Sequence, residues 1–220
     1  MEFENSEQKD IWEKAHFMLE QNKEYRAIEL FKQLAEDGYW GGAYMMGHIF
    51  QQRGMRLTEG DASFYQNHVK SAEWFNKALD LESSYLAHYA LSQYYYYGRG
   101  GSVNLHSAKM HLDECLKCPS FRPFETPLVH VMRAELYFEG IGEPINLEKA
   151  KLMYQKAIEN DIVAGYVGLS KIEKCNKRHF SAIQFKFKAL TKSIKIILTN
   201  DNKFKLAGIG GKWGNVFLSN

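Results

Sequence analysis

The sequence predicts an all-α fold, an α-solenoid of about five antiparallel helix-pair repeats. Three observations predict it. One spacing recurs, as Gly98-Arg-Gly100 … Asn104-x3-Ala108 and again as Gly140-Ile-Gly142 … Asn146-x3-Ala150, with a Gly-to-Asn step of six and a Gly-to-Ala step of ten in both copies. Short stretches after each spacing carry apolar residues at i, i+3, i+4 and i+7, the signature of one helical face. Only four prolines occur in 220 residues, which suits a chain made of helices. Self-similarity at a period of a few tens of residues marks a repeat array.

The second helix of each repeat is the easiest to read. Its frame fits Ala27, Leu30, Phe31 and Leu34, then Ser71, Trp74, Phe75 and Ala78, then Ala108, His111, Leu112 and Cys115. It continues at Ala150, Met153, Tyr154 and Ala157, and more loosely at Ala182, Phe185, Lys186 and Ala189. A small residue at the first position lets the helix approach its neighbour, and a larger one a turn later fills the space beyond. The first helix of each repeat is clearest as Ala87-x3-Leu91-Ser92-x2-Tyr95-x2-Gly98, with Ala43 to Phe50 and Leu136 to Gly140 as partial copies. The closing glycine accepts the left-handed backbone that ends a helix. Asn67, Asn104 and Asn146 stand four residues before Ser71, Ala108 and Ala150, where their side chains are expected to cap the next helix start.

These residues resemble the Sel-one-like repeat, a relative of the tetratricopeptide repeat. The shared pattern is Ala-x3-Leu-Gly-x2-Tyr-x2-Gly-x-Gly, then Asn-x3-Ala-x2-Tyr-Tyr-x2-Ala. It covers roughly residues 10–190 as five units starting near Trp12, Tyr39, Leu86, Leu128 and Val163. The resemblance implies a right-handed superhelix whose first helices line a concave groove. By position that groove includes Tyr44, His48 and Gln51, then Tyr89, Gln93 and Tyr96, then Val131, Glu135 and Phe138. Within Tyr94-Tyr95-Tyr96-Tyr97 the resemblance puts Tyr95 in the core and aims the others elsewhere.

Three places depart from the pattern. Gly54 to Ser71 spans 17 positions where other units have ten, so a loop is expected around residues 56–63. The unit from Val163 has no glycine turn. The end of the chain changes character: from Ala182 to Thr199, Ile183, Phe187, Leu190, Ile194 and Ile197 fall on one side of a helix and Lys188, Lys192 and Lys195 on another. A capping helix at 182–199 is expected to close an array over residues 1–199, because the last repeat needs a polar outer face; a helix that lies on a membrane surface or on a target peptide is the other reading. Residues 200–220 form a Gly-rich tail with Trp213 and Phe217.

Charge is uneven. The net formal charge is +2, yet residues 171–220 hold 11 basic and 2 acidic residues while 1–170 hold 17 and 24. Arg178, Lys188, Lys192 and Lys195 therefore form a candidate basic contact surface. The opening residues Met1 to Glu7 are acidic and lack the apolar run of a secretory signal. No apolar stretch reaches transmembrane length. The expectation is a cytoplasmic protein with no membrane insertion.

Candidate chemistry is sparse. Cys115-Leu-Lys-Cys118 has zinc-knuckle spacing, and Cys175-x3-His179 could complete such a site. Cys115, however, occupies the place of Ala78 and Ala157, and a buried packing residue explains it. Gly208 to Lys212 lacks the first glycine and the hydroxyl residue of a phosphate loop. Glu135 and Glu139 share a helical face, as solvated carboxylates commonly do. No metal, cofactor or catalytic set is expected. The resemblance implies a non-catalytic protein-interaction protein. The sharper expectation is a bacterial immunity protein that binds and neutralises a cognate toxin, with a general adaptor or scaffold, and a nucleic-acid binder using the basic end, as alternatives; nucleic acid is the least favoured partner.

Overall fold

A computed structural model describes residues 3, 5–57, 61–122, 125–126 and 128–199. The expected tail at 200–220 lies outside the described residues. Among the described residues there are ten helices and no strand. The chain divides into two compact units, residues 1–119 and 120–220. The first holds α1 (Ser6–Glu20), α2 (Glu24–Glu36), α3 (Trp40–Met55), α4 (Ala62–Leu81), α5 (Tyr85–Tyr97) and α6 (Leu105–Lys117). The second holds α7 (Val129–Glu139), α8 (Leu147–Glu159), α9 (Ala164–Cys175) and α10 (His179–Leu198). In each unit the main contacts run between helices consecutive in sequence, α1 on α2, α2 on α3 and so on, which is the packing of a solenoid. Among the described residues no helix is long and apolar enough to cross a membrane.

The second helices bury the face that their spacing marks. Ala27, Phe31 and Leu34 on α2, Ser71, Phe75 and Ala78 on α4, Ala108, Leu112 and Cys115 on α6, and Ala150, Tyr154 and Ala157 on α8 are all fully buried. The thiol of Cys115 sits in apolar surroundings that push its pKa up to about 12, as expected of a packing residue. Small residues on the facing helices admit these side chains. A Cβ at Gly47 would meet the ring of Phe75 at 2.6 Å, and one at Gly168 would collide with the ring of Tyr154.

One stop motif ends most of the helices. Gly98 and Gly140 adopt φ of +66° and +74°, and the next residues, Arg99 and Ile141, donate to the carbonyls of Tyr94 and Leu136. Gly38 closes α2 in the same way, with Tyr39 donating to the Leu34 carbonyl. Non-glycine residues close three more: Asn22 at φ +56°, Asp161 at +63° and Lys177 at +57°. After Lys177, Arg178 donates to the Glu173 carbonyl at 2.8 Å. The unit from Val163 therefore lacks the glycine but keeps the turn. The caps follow the same economy: Asn104 accepts from the Ser107 amide at 3.0 Å and Asn146 from the Lys149 amide at 2.9 Å.

Four expectations are corrected. Asn67 caps nothing; it lies inside α4, and its amide donates to the Ser63 carbonyl at 2.7 Å. The loop expected at 56–63 is shorter than that span: α3 runs on to Met55, Arg56, Leu57 and Asp61 are non-helical, and α4 starts at Ala62, nine residues ahead of Ser71, so part of the insert lengthens α4. Gly54 does not end α3; it stays helical to admit His68, whose ring would lie 2.8 Å from an added Cβ. His68 is 1% exposed and its Nδ1 is 3.0 Å from the Tyr94 hydroxyl, so within Tyr94-Tyr95-Tyr96-Tyr97 the buried ring is Tyr94. Tyr95 is half-buried, stacked on His111 at 5.5 Å. Finally, α10 does not turn its apolar side inward. It packs through Ala189 and Ile196 against Val163, Tyr166 and Val167, the Ala182 carbonyl accepts from the Ser170 hydroxyl at 2.9 Å, and Ile183, Phe187, Leu190 and Ile194 stand exposed. The small residues of α10, not its large ones, permit the close approach to α9. The side chain of Ile197 lies outside the described residues.

Candidate partner-binding surfaces

The nine residues assigned to a groove fall into two classes. Gln51, Tyr89, Gln93, Val131 and Glu135 are buried, each below 10% exposure. Tyr44, His48, Tyr96 and Phe138 are half-buried and present part of their surface. The cause is the packing of first helices in a solenoid. Each is covered by its own second helix and by helices of adjacent repeats, so residues seven apart on one helix do not share one environment.

In the first unit, Tyr44 and His48 are one turn apart on α3 and stack edge-to-face at 4.6 Å, both against the ring of Phe75. Burial holds the His48 imidazole down at about 4, outweighing the opposing hydrogen bond from Gln51. The ring is therefore neutral near pH 7 and offers an aromatic, uncharged surface. On α5, Tyr96 packs edge-on against Tyr97 at 5.1 Å. In the second unit, Glu135 on α7 accepts from Lys171 on α9 at 2.7 Å, so its carboxylate ties two helices together. Arg133 lies in the same α7 interior. Its guanidinium stacks 4.0 Å above the Tyr137 ring and reaches Glu143 at 3.1 Å.

The basic candidates differ just as much. Lys188 and Lys195 are exposed on α10. Arg178 is exposed as well but lies 3.9 Å from Glu173. Lys192 reaches back 2.6 Å to Asp161 and fastens α10 to the turn between α8 and α9.

The sequence marks two further features only in part. The first is a cavity of about 370 Å³ in the first unit, between α4 and the turn that follows α5, lined by Val69, Glu73, Asn76, Tyr94, Tyr95 and the turn from Gly98. The lengthened α4 is the signal that could have located it, since Val69 lies on the added turns. The second is the exposed apolar stripe on α10, which a wheel diagram shows as a face without saying whether that face is covered. Among the described residues no group of three or more His, Cys, Asp or Glu side chains is placed to hold a metal ion.

Comparison with known proteins gives a consistent picture. A family model for the Sel1 repeat matches residues 16–39, 42–83, 86–113 and 130–162, together more than half of the chain. Among solved structures, a Sel1 repeat protein from Oxalobacter formigenes is 17% identical, with 82% of this chain and 69% of that one covered at a TM-score of 0.60. That likeness shows the fold alone. A protective antigen present in uropathogenic Escherichia coli strains, displaying an SLR fold, is 14% identical over 84% of this chain and 54% of its own, at a TM-score of 0.30. No curated protein gave a significant match. Sel1 repeats generally mediate protein–protein interaction, and proteins built from them are typically non-catalytic scaffolds.

Proposed function

The chain belongs to the Sel1 repeat family, and on that premise we propose that it is a non-catalytic cytoplasmic immunity protein that binds one folded bacterial toxin and neutralises it. The match of four Sel1 repeats carries the protein-binding part of this reading. The narrower part draws on what is individual to this chain: irregular repeats, an α4 lengthened to 20 residues, and strongly basic residues 171–220. A single folded partner fits these better than a set of short peptides does, because irregular repeats present no repeated pocket. The proposed contacts are the half-buried Tyr44, His48 and Tyr96 in the first unit and Phe138 in the second. Lys188 and Lys195, with Arg178, supply charge steering toward an acidic partner.

Affinity purification from the native host tests the reading. One stoichiometric partner whose toxicity is relieved by co-expression supports it; recovery of many unrelated clients, with short peptides competing, would show a general adaptor instead. Substitution then separates the two surfaces. If Tyr96 is an anchor, Tyr96→Ala weakens the complex by about tenfold or more at any salt concentration. Charge reversal at Lys188 and Lys195 slows association and weakens it mainly at low salt. An unchanged Kd for both variants would remove both surfaces from the interface.

A further inference from the structure

Arg99 stands in the middle of the Gly98-Arg99-Gly100 turn that closes α5, half-buried and with nothing to neutralise it. The two other arginines withdrawn from water are paired: Arg53 reaches Glu24 at 2.6 Å and Arg133 reaches Glu143 at 3.1 Å. Among the described residues no carboxylate or other side-chain acceptor pairs with the Arg99 guanidinium. It lies instead 5.3 Å from the centroid of the Tyr97 ring. Burial holds its pKa below the ordinary value, against the opposing phenols of Tyr94, Tyr97 and Tyr89. The Tyr97 hydroxyl is itself buried and has no hydrogen-bond partner among the described residues. The Tyr94 hydroxyl is already engaged, 3.0 Å from Nδ1 of His68, an imidazole that burial and then the Arg99 charge hold down at about 4. An unused donor and an unneutralised cation thus share the Tyr97 ring, and the neighbouring histidine is neutral near pH 7.

The fold does not ask for arginine at this place. Gly140-Ile141-Gly142 makes the same turn after α7, with Ile141 donating to the Leu136 carbonyl as Arg99 donates to that of Tyr94. Ile141 is half-buried as well. An apolar side chain therefore satisfies the position, and a desolvated, unpaired guanidinium is the costlier occupant. An arriving anion offsets that cost, because the guanidinium fork binds a carboxylate through two parallel hydrogen bonds. One guanidinium also balances the single charge of a carboxylate, whereas a phosphate monoester brings about −1.5 to −2. Tyr96, packed edge-on against Tyr97 at 5.1 Å, sets an aromatic surface beside the charge. We propose that Arg99, held on the Tyr97 ring, receives one aspartate or glutamate side chain of the protein partner, whose neighbouring apolar residue rests on Tyr96. This assignment rests on the protein-binding reading of α5 given above and names the chemistry that surface selects.

The test uses the full chain, isotope-labelled at its arginine nitrogens. The Arg99 Nε signal, assigned by its loss in Arg99→Ile, is followed during titration with acetyl-Leu-Glu-amide, acetyl-Leu-Gln-amide and inorganic phosphate. Expected is a saturable shift with the glutamate peptide, binding at least about tenfold weaker for the glutamine peptide, and only a linear drift at the exposed Arg26. Urea unfolding of the free chain adds a readout that a structural arginine would fail: Arg99→Ile, which copies Ile141, should leave stability unchanged or raise it. Arg99→Gln carries both measurements if the isoleucine variant does not fold. Absence of a saturable shift would overturn the proposal. Tighter binding of phosphate than of the glutamate peptide would overturn it in favour of a phosphate group. A clear loss of stability in Arg99→Ile would overturn it by making the guanidinium a structural contact of Tyr97. A partner captured from the native host separates this assignment from the reading it rests on. If that partner binds Arg99→Ile as tightly as the parent chain, the carboxylate site is lost and protein binding stands. If no partner is captured while Arg99 still selects glutamate over glutamine, the site stands and the toxin is lost.

Discussion

A helix that ends in a left-handed residue asks for glycine, and this chain grants it at only some of the sites. Lys177 takes φ +57° and closes α9, and the residue after it, Arg178, donates five residues back to the Glu173 carbonyl just as Arg99 and Ile141 donate to Tyr94 and Leu136. A side chain in that conformation costs about 1–2 kcal/mol. Glycine would remove the cost but would add about 0.5–1 kcal/mol of backbone entropy to the unfolded chain. The first term exceeds the second, so Lys177→Gly is expected to stabilise the chain by about 0.5–1 kcal/mol in urea unfolding. Gly98→Ala should do the opposite and cost more, because its Cβ would also approach the Val103 amide at 2.9 Å. A loss of stability in Lys177→Gly would mean that the lysine side chain contributes something beyond its backbone conformation. This residue also shows one limit of sequence reading. The absence of glycine after Val163 is visible in the sequence, but the turn persists because backbone hydrogen bonds and the packing of α9 on α10 hold it, and neither leaves a mark at position 177.

At the scale of the element, the asparagines separate two roles that look alike in the sequence. Asn104 and Asn146 accept hydrogen bonds from free amides at the starts of α6 and α8, so alanine at either should cost about 1 kcal/mol. Asn67 occupies the equivalent place in its repeat but lies five residues into α4, where alanine is the better helix former. Asn67→Ala is expected to be neutral or to stabilise by up to about 0.5 kcal/mol, measured on the same unfolding curves. A loss equal to that of Asn104→Ala would place the start of α4 near Asn67 after all. The second helices were fully legible, since alternation of small and large residues at helical spacing dictates burial directly: Ala27 to Leu34 and Ala150 to Ala157 lie where the spacing put them. The insert was legible as a break after Met55 but not as a longer α4, because that extension packs His68 against Gly54 and Tyr94, contacts made across three helices. The groove residues were legible as positions on helices but not as surface. Gln51 and Tyr96 occupy comparable places, four residues after Gly47 and Ser92, yet one is buried and the other half-buried, and only the neighbouring helices decide which.

For the molecule as a whole, buried histidines set the response to acid. His48, His68 and His111 in the first unit and His130 in the second are all held down at about 4, chiefly by burial. In the first unit His88 is lowered too, and its Nδ1 lies 3.0 Å from that of His111, so one ring donates and the other must stay unprotonated to accept. In the unfolded chain these side chains titrate near 6.5. The unfolded state thus binds more protons below that value, and the stability present above about pH 6.5 is lost as pH falls toward 4. Each such histidine removes up to about 1.4 kcal/mol per pH unit in that window, against a total stability of about 5–15 kcal/mol for a domain. Three strongly lowered histidines in one unit and one in the other make the first unit the acid-labile part. With Trp213 replaced by Phe, the remaining tryptophans, Trp12, Trp40 and Trp74, all lie in the first unit, whereas helical circular dichroism reports on both. Between pH 7 and pH 5 the thermal transition seen by tryptophan emission should therefore fall further than the one seen by circular dichroism. His130→Gln should leave the tryptophan transition unmoved at either pH, because it relieves only the second unit. Coincident transitions that shift equally with pH would show instead that the two units unfold as one cooperative body, with the acid response shared across all ten helices.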